Sequence, residues 1–184
     1  MKKSWIERTH SKMKNNFEKC LAEVLKHEGG YSDHIADPGG ITNLGVTKKV
    51  WEEWVGHEVS ADDLKALKPE DVKPLYHNRY WDACKCDDLP AGIDYCVFDT
   101  AVNSGKVRSI KFLQSVVGTV PDGSIGPITI ASANARGSNL TIQQFMDKRE
   151  LFLRGLSNFS TFGKGWVTRC NDVRYKALEM ANER

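Results

Sequence analysis

From Phe17 onward the apolar positions recur with helical spacing: Phe17, Cys20, Leu21, Val24 and Leu25 fall at i, i+3, i+4, i+7 and i+8. The next position on that face is Glu28. Gly29-Gly30 then ends the helix, since glycine readily takes the left-handed cap conformation. The pattern changes over 31–46, YSDHIADPGGITNLGV, where turn residues alternate with short β-prone pieces; this predicts an irregular loop or a small hairpin. Helical spacing resumes over 47–56, with Val50, Trp51, Trp54 and Val55. Ser60 with Asp63 has the form of an N-cap opening a short helix at Leu64 and Leu67. Pro69 suits a first helical position, and a helix is expected to run from there to about Trp81, with Pro74 either kinking its early turns or delaying its start. Residues 91–104 are apolar on most sides and predict a core helix closed by Gly105. Further helices are expected at 106–117, 127–135, 139–156 and 164–182. The pattern therefore predicts a mainly α fold with a minimal hairpin or loop near the N-terminus. Its expected divisions are a peripheral segment 1–15, a lobe 16–90 and a helical lobe 91–184.

The chain has 184 residues, 40% of them hydrophobic, enough for one core and short for two full domains. With 26 basic and 24 acidic residues the formal net charge is +2, and no Lys/Arg block stands out, so nucleic acid is not an expected partner. The five cysteines, Cys20, Cys84, Cys86, Cys96 and Cys170, are odd in number and match no compact disulfide framework. Reduced thiols are expected. Cys84-Lys85-Cys86 lacks a second ligand pair, and neither a metal nor a cofactor is expected. The N-terminal stretch has two lysines with no apolar run behind them, which does not read as a secretory leader, and nothing approaches a membrane span. A reduced chain in the cytoplasm is the expectation, as is a monomer.

The candidate chemistry gathers around Glu28. A carboxyl group at the edge of a core is partly desolvated, and a general acid for glycoside cleavage must carry a proton near neutral pH. An ordinary helix-end Glu, or one paired with a cation, fits the position alone equally well. The following residues add to the picture: Asp37 and Thr42 lie across one glycine-rich turn from Glu28. A second carboxylate can steady positive charge on a sugar ring or activate water, and a hydroxyl can orient that water. Asp33 is a competing second carboxylate. Tyr31, directly after the helix, is the best aromatic for stacking on a sugar, whereas Trp51, Trp54 and Trp81 sit at core spacing. Asp99 and Asn103 share one face of the expected core helix, where they either tie elements together or line a cleft.

These residues also carry a family resemblance. Glu28-Gly29-Gly30-Tyr31, then Asp37-Pro38-Gly39-Gly40, Thr42-Asn43, Gly45-Val46-Thr47, and YHNRYWD at 76–82 resemble glycoside hydrolase family 108, the N-acetylmuramidases of phage endolysins and secretion-associated muramidases. The resemblance implies a two-lobed lysozyme-like fold, Glu28 as catalytic acid, and peptidoglycan as substrate. It also implies cleavage of the β-1,4 bond between N-acetylmuramic acid and N-acetylglucosamine. The order of Glu28, Asp37 and Thr42 is similar to the Glu–Asp–Thr set of phage lysozymes, and Asn43 of the same motif joins Tyr31 as a substrate-binding candidate. FDTAVNSG at 98–105, FLQ at 112–114 and DGSIGPIT at 122–129 resemble the peptidoglycan-binding region that accompanies such catalytic regions. Lobe 91–184 is then expected to bind wall while packed on the catalytic lobe, with Asp99 and Asn103 as contacts. An endolysin released by a holin, or a muramidase exported by a secretion system, is the implied setting. A lytic transglycosylase cutting the same bond, and a non-catalytic wall-binding or secretion accessory protein, are the competing readings.

Overall fold

The computed structural model describes residues 16–32 and 40–183. The elements run α1 (Asn16–Glu28), β1 (Thr42–Asn43), β2 (Val46–Thr47), α2 (Lys48–Val55), α3 (Ala61–Lys65) and α4 (Pro69–Tyr76). A π-helical turn (His77–Trp81) and two short 3-10 turns (Asp82–Cys84 and Cys86–Asp88) follow. The chain then forms α5 (Ile93–Ser104), α6 (Lys106–Val117), α7 (Pro127–Ala135), α8 (Ser138–Arg154) and α9 (Phe159–Asn182). The fold is mainly α with one two-stranded antiparallel sheet, the lysozyme-like pattern. None of the described helices is long and apolar enough to cross a membrane.

The chain divides into two compact units, one of residues 21–79 and one of residues 1–20 with 80–184. In the smaller unit, β1 and β2 pair Thr42 with Thr47 and Asn43 with Val46. That leaves Leu44 and Gly45 as a two-residue loop, with φ of 50° and 73°. Left-handed φ at both central residues is the type I′ pattern, whose twist matches that of paired strands. Thr47 ends β2 and caps α2, its hydroxyl accepting from the Val50 amide at 3.2 Å. Ser60 and Asp63 close a capping box on α3. Pro69 opens α4, and Pro74 sits inside it. A proline there cannot donate to the carbonyl one turn back. The α-helix stops at Tyr76, and the expected run to Trp81 continues in the wider π geometry instead.

In the larger unit α5 is the centre. Ile93 through Ala101 are all buried, and α5 packs against α6, α8 and α9. Phe17, Trp81 and Phe98 form an edge-to-face trio with centroids 5.3–5.8 Å apart. Each such pair adds about 0.5–1.5 kcal/mol beyond burial. Gly92 starts α5 at φ 84°, where a β-carbon would lie 2.3 Å from the Ala177 carbonyl oxygen of α9. All five cysteines are buried, and none is in a disulfide.

Candidate active site

Glu28 is the last residue of α1 and is half-buried. The hairpin turn closes against it: a β-carbon on Gly45 would lie 3.0 Å from Cβ and Cγ of Glu28 and 2.5 Å from the Tyr76 hydroxyl. Glycine at that point therefore does two things, supplying the left-handed φ and letting backbone touch the stem of the acid. Tyr76 fixes the same turn from α4, its hydroxyl donating to the Leu44 carbonyl at 2.8 Å. Periodicity alone gave no reason to single out Gly45 or Tyr76. The signal available was Gly45 two residues after Asn43 in a β-prone run, the usual place for the second residue of such a turn.

Thr42 lies on the hairpin beside this turn. Its backbone pairs on both sides, with Thr47 of β2 and, through mutual 2.9 Å bonds, with Ser32. Directly opposed residues share a face, so Ser32, Thr42 and Thr47 form a hydroxyl row on one side of the ladder. All three are half-buried. Asn43 and Val46 point to the opposite, buried side. Asn43 donates its amide to the carbonyls of Leu64 at 2.9 Å, Lys65 at 3.2 Å and Leu67 at 3.4 Å. These carbonyls lie at the end of α3 and just beyond it, and that of Leu64 also accepts from the Leu67 amide at 3.3 Å. The Asn43 amide nitrogen thus serves the fold, fastening the hairpin to α3. Tyr31 is half-buried beside Ser32, and the Lys65 ammonium lies over its ring, 5.4 Å from the centroid. Asp37 and Asp33 lie outside the described residues.

The other two candidates sit in the helical unit. Asp99 is fully buried and spends both oxygens on arginines: Arg149 of α8 at 2.6 Å and Arg169 of α9 at 2.8 Å. Burial pushes its carboxyl up, but the two guanidiniums outweigh that and hold it below the ordinary carboxylate value. It fastens three helices. Asn103, one turn on, is exposed and accepts from Arg149 at 3.4 Å and from the Ser104 hydroxyl at 3.0 Å. The loop 118–126 is organised from within. Buried Gln114 donates to Asp122 at 2.7 Å and to the Ser124 carbonyl at 3.0 Å, and accepts from the Gly123 amide at 2.9 Å. Its partners account for the buried Gln of the FLQ stretch.

A glutamate seated against a glycine turn of a hydroxyl-bearing hairpin is an arrangement able to place one carboxyl group beside a bound sugar. Comparison with known proteins bears on what it acts upon. The family model described as glycosyl hydrolase 108 matches residues 21–105. The chain is also similar to the structure of SagA from Brucella abortus, at 42% identity and a TM-score of 0.82, covering 92% of this chain and 98% of that one. The chain belongs to glycosyl hydrolase family 108. As a family 108 member it is a glycoside hydrolase of the N-acetylmuramidase type, and its substrate class is peptidoglycan. The family match spans the whole smaller unit, the hairpin and Glu28 included, and extends through α5 to Gly105. Comparison with curated proteins gives no match.

Proposed function

We propose that this family 108 chain cleaves the β-1,4 bond between N-acetylmuramic acid and N-acetylglucosamine, with Glu28 as the general acid. The observation that carries this reading is the contact between the Gly45 turn and the stem of Glu28. A proton donor must be held in one orientation while the leaving oxygen approaches. The backbone turn restrains Glu28 where a second flexible side chain would not. In this reading Asp37 or Asp33 is the second carboxylate, steadying the oxocarbenium-like sugar or activating water. Thr42, from the hydroxyl row, orients the attacking water.

The setting we propose is an endolysin made in the cytoplasm and brought to the wall by a holin or a secretion system. Five buried thiols outside any disulfide suit a reducing compartment before release. Mass spectrometry of digested peptidoglycan tests the chemistry. Hydrolysis leaves reducing N-acetylmuramic acid ends, whereas anhydro sugar ends identify a transglycosylase and remove the role for water and Thr42. Wall retention with no new ends of either kind overturns the catalytic reading.

A further inference from the structure

We propose that Lys65 is a specificity-determining residue that holds a carboxylate of the substrate beside the acid. The inference rests on Glu28 being the centre of the site. The chain runs three residues from Glu28 to Tyr31. Ser32 then pairs with Thr42, and Asn43, next to Thr42, donates to the carbonyls of Leu64 and Lys65. This closed circuit brings the end of α3 back to the start of the glycine-rich loop, with the Lys65 ammonium above the Tyr31 ring. Lys65 is exposed, and among the described residues no carboxylate forms an ion pair with it. Its neighbour Asp63 is turned to the other end of α3, where it accepts from the Ser60 amide and hydroxyl.

An ammonium resting on an aromatic face keeps hydrogen-bond donors pointing away from the ring. Asn43 fixes the backbone of Lys65 while Tyr31 supports its head, so the cation is presented rather than left to sweep through solvent. A polymer of neutral pyranoses gives it nothing to bind. Peptidoglycan differs from such a polymer in its carboxylates, carried by the peptide stems or, where stems are removed, by the lactyl groups. Lys65 with Tyr31 is therefore a carboxylate contact flanking the cleavage site, and it discriminates wall glycan from uncharged chitin-like strands.

The test compares the parent with Lys65→Met on three walls: intact sacculi, sacculi whose carboxylates are capped as methylamides, and sacculi stripped of stems by an amidase. On intact sacculi at low salt, Lys65→Met is expected to raise KM about three- to fivefold with kcat unchanged, the size of a partly exposed ion pair. Lys65→Arg should stay within about twofold of the parent, and Lys65→Glu should exceed the Met effect. The parent-to-variant ratio should fall toward one on capped walls and at high salt. A ratio that persists on stripped walls shows that the freed lactyl carboxylate serves in place of the stem, and one that vanishes restricts the contact to the stem. Equal KM values for parent and Lys65→Met on intact sacculi, or an identical ratio on intact and capped walls, overturn the proposal. Retention on the same intact and capped walls is read in parallel. If the parent releases no ends from any wall, the proposed function fails, while the retention ratio still decides the role of Lys65.

Discussion

The two units of this chain solve different problems. The smaller one holds Glu28 with two-residue strands, helices of five and eight residues, and a turn whose backbone is left-handed at Leu44 and Gly45. The larger one has helices of up to 24 residues around an α5 buried from Ile93 to Ala101, fastened by the Asp99–Arg149–Arg169 group. In the first, position is set by a few backbone details, and little of the local structure would form alone. In the second, position follows from bulk burial and ion pairing. Substitutions in the larger unit should therefore move stability without activity, and one that lowers activity at full stability would break the comparison.

The largest effect is expected at Glu28. Glu28→Gln keeps size and hydrogen bonding but cannot donate the proton, so turnover on wall should fall roughly 10²–10⁴-fold. Melting temperature and wall retention should stay at parent values. A turbidity assay beside a pull-down reads both, and lysis at the parent rate would end the proposed mechanism. Next comes Asp99→Asn, which strands the almost fully buried Arg149 with a reduced partner set. Denaturant unfolding should show a loss of about 3–5 kcal/mol, with KM unchanged where the variant is still folded. A raised KM at full stability would instead make Asp99 a substrate contact.

Gly45→Ala should link the two scales: its β-carbon meets the Tyr76 hydroxyl and Glu28, and its φ is left-handed. We expect about 1–3 kcal/mol of destabilisation and a fall in kcat. Gly92→Ala, equally left-handed but against the α9 backbone, should cost stability alone. The last effect is a pH slope. Burial raises Asp94 to about 7, against the bonds from Asn16, Tyr95 and Gly92. Its carboxyl accepts from the Asn16 side chain at 2.5 Å and from the amides of Gly92 and Tyr95 at 2.8 and 2.7 Å. A raised folded pKa means the folded state keeps a proton that the unfolded chain releases. This contribution is present below about pH 4 and lost as pH rises toward 7. Asp94→Asn should flatten that segment of the stability curve, and an unchanged slope would show that another group titrates there.

Helix spacing made most of the larger unit legible, because a buried face repeats every 3.6 residues whatever it packs against. The expected helices at 106–117 and 127–135 match α6 and α7. The last helix begins at Phe159 rather than 164, and Gly163 and Gly165 both lie inside α9. Tertiary packing overrides weak propensity there: Gly163 is buried, and a β-carbon on it would press on the Phe159 ring at 2.7 Å. The proposed site was read at Glu28 and Thr42 through ordered motif residues. Its supports were not. Tyr76 is 32 residues from the carbonyl it holds, and Arg149 and Arg169 are 50 and 70 residues from Asp99. Nothing in a linear pattern pairs such partners. Asn43 shows the converse, since a polar motif residue reads as a contact until its amide is found on the carbonyls of α3.

The unit that carries Glu28 is nested: the chain leaves the larger unit after Cys20 and returns to it at Tyr80. Neither crossing is a linker. The first falls inside α1 and the second inside the π-helical turn His77–Trp81. For anyone wishing to transplant wall specificity between relatives, there is no flexible joint at which to cut. Each splice has to preserve helical phase, because one inserted residue would rotate everything beyond it by about 100°. Chimeras of this family are thus expected to tolerate exchange of whole helical turns and to reject single-residue offsets.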